Sequence, residues 1–513
     1  MLKRSSVVAL CLASVSWVAM TAGSASAETL QDAIALAYRT NPTILAQRAN
    51  QRALDETVPQ ARAGYRPTID VSASASYSRT TSPKFTTSTG VDLNGDGVID
   101  TVTSGGTTDS DTGGASIGLS QTLYSGGRIG HSVSAAEAGV LAGRENLRAV
   151  EQSVLANVVA AYVGVQRDLQ ILQIREDNLT VLRRQLDESN ARFEVGEITR
   201  TDVAQSESRL ASSEADLANA QAQLSVSRAT YAAVVGQAPG TLEAAPTLPG
   251  VPTDFDQALD VGLAENPGIL AATYNLQAAE SRVAAARSAY LPSAGLSASY
   301  GGSGDLSSFD LADRTSLTVG ASISIPLFTG GLNQSRVAQA LETANAAQIQ
   351  IEGQRRAVLQ NVSSSYAQVV SSRASVTAGN EAVRAATVAA EGVRQEAQVG
   401  LRTTLDVLNQ ELELRAAQVT LVSVTANEYI AQASLLSAMG RLEGPDLDPS
   451  IEAYDPATHA DAVRNRGALP WDGVVEALDR IASPIVTPAD DAPDAPIDAQ
   501  LKSDIIKTAP PAS

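Results

Sequence analysis

The chain has 513 residues, with 37 Lys and Arg against 56 Asp and Glu and a net charge of −19. That balance disfavours nucleic acid as a partner, because phosphate contacts need clustered Lys and Arg. Two His, one Cys and 4% aromatics leave little for metal, thiol or imidazole chemistry, and they point to an extended helical protein rather than ring-packed compact domains.

Residues 1–27 read as a secretory signal. Lys3 and Arg4 precede an apolar run from Val7 to Met20, and Ala25-Ser26-Ala27 supplies small residues for cleavage after Ala27. The run is too short for a membrane-spanning helix, which needs about 20 apolar residues. Cys11 lies inside the run behind Leu10, so no lipid-anchored N-terminal cysteine is expected. Export leaves a mature chain without cysteine.

The remainder is one unit written twice. Asn41-Pro42 returns as Asn266-Pro267 and Tyr65-Arg66-Pro67 as Tyr290-Leu291-Pro292, an offset of 225. Leu123-Tyr124-Ser125-Gly126-Gly127 returns as Leu327-Phe328-Thr329-Gly330-Gly331 at an offset of 204. That second offset also relates Tyr162 to Tyr366, Val195-Gly196 to Val399-Gly400, Asp202-Val203 to Asp406-Val407 and Gly236 to Gly440. The change of offset marks a 21-residue insertion in the first copy. The first repeat is placed at 28–240 and the second at 241–443.

Each repeat opens with alternating apolar residues, expected to form strands at about 68–80 and 115–124, then about 294–301 and 316–327. Roughly ten residues is the length that crosses a bilayer when tilted. Proline-free tracts follow, expected to form long helices at about 128–195 and 200–236, and at about 332–398 and 403–440. Leu147, Val150, Val154, Val158, Ala161, Val165, Leu169 and Leu172 make a coiled-coil-like seam, and Val203, Leu210, Leu217, Leu224 and Tyr231 recur every seven residues. Leu405, Leu412, Val419, Ala426 and Ala433 do the same in the second copy. A helix of about 65 residues reaches roughly 100 Å, too long for a globular domain. The Pro-rich acidic segment 444–513 reads as a belt or a disordered tail.

Four bilayer-length strands cannot close a barrel, and open sheet edges cannot sit in lipid. Three copies would supply twelve strands. The expected fold class is therefore mainly α with a membrane β-barrel completed by other copies of the chain. This duplicated order of motifs, from about Thr29 to Glu443, resembles the TolC-like outer-membrane channel-tunnel family of Gram-negative bacteria. The resemblance implies a homotrimeric outer-membrane exit duct, a 12-stranded β-barrel continued by an α-helical barrel in the periplasm. It also implies a periplasmic adaptor and an inner-membrane ABC or drug-efflux transporter as partners, for efflux or type I protein secretion.

No catalytic residue is expected. The hairpin tips, Val195, Gly196 and Thr199 with Val399, Gly400 and Thr403, match the family's adaptor-docking region. Asp406 and Asn409 share a helix face and match its pore constriction, where Asn409 stands in place of a second acid. A single Asp on a helix also fits a simply solvated position. Asp202 and Arg402 match the family's closed-state latch, although Ala397 replaces its tyrosine. Asp92, Asn94, Asp96 and Asp100 in the insertion resemble an EF-hand calcium loop, with Thr103 where a bidentate Glu is expected, and equally fit a Gly/Asp surface turn. Ca²⁺ is the sole cofactor in view. A pore-less periplasmic coiled-coil adaptor or scaffold is the alternative, and it leaves the four strands unexplained.

Overall fold

The computed structural model describes residues 28–88, 90, 97, 99, 101–306 and 314–488. The signal at 1–27, the calcium-loop residues Asp92, Asn94, Asp96 and Asp100, and the tail beyond 488 lie outside the described residues.

Three short helices, α1 (Leu30–Thr40), α2 (Pro42–Asp55) and α3 (Thr57–Arg62), lead into β1 (Thr68–Ser88) and β2 (Thr101–Tyr124). Then come α4 (Arg128–Glu194) and α5 (Arg200–Val235). The second copy runs α6 (Phe255–Glu265), α7 (Pro267–Arg287), β3 (Ser293–Asp305), β4 (Arg314–Ser324), α8 (Leu332–Gln398) and α9 (Thr404–Met439). Three small helices finish the described chain: α10 (Gly444–Leu447), α11 (Ala457–Arg464) and α12 (Asp472–Asp479).

The repeated motifs are joints. Asn41 caps α2 by accepting from Thr43 N at 2.9 Å, while its amide donates to Val234 O at the end of α5 at 2.8 Å. Asn266 repeats both bonds, to Gly268 N at 2.8 Å and Ala438 O at 2.9 Å. Each Asn-Pro therefore starts one helix, with proline at a position that needs no N–H, and ties it to the end of another. Tyr162 donates to the carbonyls of Glu28 at 2.9 Å and Glu243 at 2.7 Å, and its counterpart Tyr366 to that of Thr253 at 2.8 Å. Burial beside Glu28 and Glu243 pushes the Tyr162 hydroxyl up to about 12. Gly236 and Gly440 end α5 and α9 with φ of +95° and +82°, a conformation glycine adopts without strain.

The sheet is antiparallel in the order β1-β2-β3-β4, with β1 and β4 as open edges. Its register aligns Ile69, Leu119, Ala298 and Val319 in one row and Val71, Ile117, Tyr300 and Leu317 in the next. Directly opposed residues share a face, so one face carries an apolar band across all four strands. The other carries Ser72 against Ser116, whose hydroxyls sit 2.9 Å apart, and Ser299 against Thr318. The first strand pair is longer than the expected ten residues: β1 and β2 have 21 and 24 residues, β3 and β4 13 and 11. Most of the insertion is thus absorbed as strand, extending the first hairpin beyond the second.

The helices α4 and α8 each have 67 residues, and α5 and α9 each have 36. The largest core forms where α1, α4, α5 and α9 meet, around Leu155, Val158, Tyr162, Tyr231 and Leu436. Of the seam expected on α9, Ala426 and Ala433 are buried, whereas Leu405 and Leu412 are exposed and Val407 and Leu414 take the inward places. Helix α8 likewise exposes Ile349, Val370 and Val388.

The segment from 444 to 488 packs against the junction of sheet and helices. Asp479 is buried and accepts from Ser125 N at 2.5 Å, Ser125 Oγ at 2.9 Å and Tyr65 OH at 3.3 Å, fixing the turn that opens α4. Arg66 pairs with Asp472 at 2.9 Å, and His459 Nδ1 lies 2.9 Å from the buried Asp55. The matching turn of the second copy is bare, with Leu327 93% and Phe328 90% exposed.

Candidate functional site: the hairpin tips

Both helix reversals are built by the same eight-residue device. In the first, Gly196 sits at φ +81° and its N–H donates to Phe193 O at 2.9 Å, while Glu197 N donates to Arg192 O at 2.9 Å. In the second, Gly400 sits at φ +79°, donating to Ala397 O at 3.1 Å, and Leu401 N to Glu396 O at 2.9 Å. These are Schellman closures, in which a left-handed residue lets the chain return and satisfy the last helical carbonyls. Three residues after each glycine the next helix starts with a capping box. Thr199 N and Oγ1 donate to Asp202 Oδ2 at 2.9 and 2.8 Å, and Thr403 N and Oγ1 to Asp406 Oδ2 at 3.0 and 2.8 Å.

The spacing Val-Gly-x-x-Thr-x-x-Asp is thereby accounted for residue by residue. Bonds from Thr199 hold the Asp202 carboxyl below its ordinary value, and those from Thr403, with the Arg402 charge behind them, do the same for Asp406. At the apices Val195 and Val399 are each 71% exposed and Leu401 75%. A side chain at Gly196 or Gly400 would meet nothing within 4 Å. Glycine is required there by the left-handed backbone and not by crowding.

Among the expected site residues, the structure joins Thr199 to Asp202 and Thr403 to Asp406, two pairings the sequence reading does not make. Within one chain it does not bring Asp202 to Arg402. Arg402 Nε instead donates to Glu396 Oε2 at 2.8 Å inside its own hairpin, and Asp202 is engaged by its own cap. Sequence-adjacent partners win because the tight turn already presents them. Asn409, one turn above Asp406, is exposed and accepts from Arg209 Nη2 of α5 at 2.9 Å.

Several contributors were not visible in the repeat motifs. Arg175 of α4 pairs with Asp216 of α5 at 2.9 Å, stapling the first hairpin. Arg394 of α8 reaches the buried Glu411 of α9 and staples the second, and Arg415, one turn along α9, lies 3.7 Å from the same carboxylate. A cleft of about 510 Å³ opens between lower α4 and the second tip, lined by Arg184, Arg192, Arg394, Gln398, Thr404 and Val407. Charged residues on helices that carry no turn motif give no local signal of such pairing. Among the described residues no cluster of three or more His, Cys, Asp or Glu side chains is arranged to hold a metal.

Comparison with known proteins bears on the whole assembly of strands, hairpins and tips. The family profile described as outer membrane efflux protein matches residues 33–237 and 258–441. The outer membrane efflux protein BepC of Brucella suis biovar 1 (strain 1330) is 36% identical over 452 residues, 88% of this chain and 94% of that protein. The outer membrane protein TolC of Escherichia coli (strain K12) is 27% identical over 312 residues, 58% of this chain and 63% of that protein. The crystal structure of the outer membrane protein VceC from Vibrio cholerae superposes with a TM-score of 0.64 at 22% identity, covering 80% of this chain and 96% of that one, a likeness of fold.

Proposed function

The chain belongs to the outer membrane efflux protein family, and from that premise we propose that three copies assemble into one exit duct serving a periplasmic adaptor and an inner-membrane transporter. It is an outer-membrane protein with its helical barrel in the periplasm, a channel and not an enzyme. The observation that carries the trimer is the sheet. Its four strands have an apolar band on one face, a polar opposite face and two unpaired edges. An unpaired strand edge costs several kcal/mol per backbone group in lipid, so β4 of one copy would meet β1 of the next until twelve strands close. The exposed Leu327 and Phe328 on the second copy's turn, and the apolar outer face of α8, fit burial by a neighbouring subunit.

At the periplasmic end, the tips of each subunit would form a rim of six. Asp406 and Asn409 are proposed to line its constriction, and Val195, Gly196, Thr199, Val399, Gly400 and Thr403 to meet the adaptor. An Asp202–Arg402 latch would have to run between neighbouring subunits. Planar-bilayer conductance of the detergent-purified oligomer tests the channel: small, cation-preferring openings are expected, and an intact oligomer that never conducts would refute the duct.

A further inference from the structure

We infer that Arg209 and Asn409 form a clasp between the two hairpins of one subunit at the mouth, and that Arg209 places, one helical turn from Asp406, a positive charge that tempers cation preference. This rests on the channel reading proposed above and adds the residue that sets its gating and selectivity.

The tip groups named so far are spent within their own hairpins: Asp202 on Thr199, Asp406 on Thr403 and Arg402 on Glu396. None of them joins α4 and α5 to α8 and α9. Arg209 does, because its Nη2 donates at 2.9 Å to the Oδ1 of Asn409, 200 residues further along the chain. Arg209 lies seven residues after Asp202, two turns up the same side of α5, and Asn409 lies three residues after Asp406, one turn up α9. The contact therefore sits just above the two capped starts, where spreading the hairpins must break it.

Its chemistry matters as much as its place. The acceptor is a neutral amide, which fixes the guanidinium in position without cancelling its charge. A carboxylate at 409 would do both. Each subunit thus carries the Asp406 carboxylate and, at the Asn409 contact one helical turn further along α9, the Arg209 guanidinium held by a neutral acceptor. In a threefold ring those charges oppose each other, and a closely spaced ring acts on the ion passing through it.

Three variants separate the two roles in planar bilayers, read as single-channel open probability and as K⁺/Cl⁻ reversal potential under a salt gradient. Asn409→Asp converts the amide contact into an ion pair. The closed-to-open ratio is expected to rise roughly tenfold, three weak exposed pairs acting together, and the reversal potential to move towards the cation limit. Arg209→Gln should open more often and also become more cation-preferring, whereas Asn409→Ala, which keeps the Arg209 charge but frees it to move, should open more often with a smaller shift of the reversal potential. If wild type conducts and all three variants match it, the clasp is wrong. A wild-type oligomer without conductance would instead strike the channel reading. The contact is then still testable by intrachain cross-linking of Arg209→Cys with Asn409→Cys in the cysteine-free mature chain, where absence of cross-linking overturns it.

Discussion

Asp202 and Asp406 show that a motif's spacing can have a local structural cause, whatever further task its carboxylate performs. Each carboxylate accepts from the backbone and hydroxyl of the threonine three residues earlier, and that bond is the reason for the spacing. Replacing Thr199 with Ala removes the cap and should cost about 1 kcal/mol of local helix stability, seen as faster amide exchange over the first turn of α5. The pH dependence has a definite sign. Both carboxyls titrate below the ordinary 3.8 when folded, so their contribution is complete above that value and is lost as pH falls through the lower folded one. Tip exchange rates should therefore be independent of protonation of these caps from about pH 8 to about pH 5, after correction for intrinsic exchange, and rise only below about pH 4. A cap-linked rise already near neutrality would contradict the assignment.

At the scale of elements, the hairpin tip is a rigid reversal closed at both ends by its own hydrogen bonds, with an apolar apex in solvent. Such an apex fits a partner better than an isolated turn does. If it docks the adaptor, Gly400→Arg should leave the trimer intact and abolish adaptor co-purification. Gly400→Asn, which tolerates the left-handed backbone with little bulk, should retain most of it. Equal adaptor recovery from both variants would remove docking from this tip. The sequence made these elements legible unevenly. Asn41, Tyr162, Gly196 and Thr199 stand out because each does a local job that recurs 204 or 225 residues later. Strand length is less legible, because the Ser- and Thr-rich stretch at 78–88 alternates weakly although it pairs with 101–110. Leu405 and Leu412 have the same heptad spacing whether a seam faces inward or towards a neighbour, so period alone could not choose the face. Arg209–Asn409 joins residues 200 apart on different helices and left no pattern to read.

For the whole molecule, the two open edges make the single chain an incomplete object. Cysteines at Thr68 on β1 and Ser324 on β4, both at the helix-proximal ends of their strands, should couple neighbouring subunits. Oxidation or a short thiol cross-linker is expected to give dimers and trimers on denaturing gels from Thr68→Cys/Ser324→Cys, and monomer from either single variant. Monomer alone from the double variant would argue against closure through β1 and β4. The matched helices carry a further consequence for how such a protein can change. With 67 and 36 residues on each side, both reversals finish at a common level. One residue added to α4 alone would advance its tip by about 1.5 Å and swing it by roughly 100°. A seven-residue loss from both α4 and its returning helix α5 would keep the packing phase but leave that tip about 10 Å short of its twin. Lengthening or shortening is therefore tolerated only when both halves of the gene change by the same whole number of heptads, which ties the two halves to a shared ruler long after their sequences have diverged.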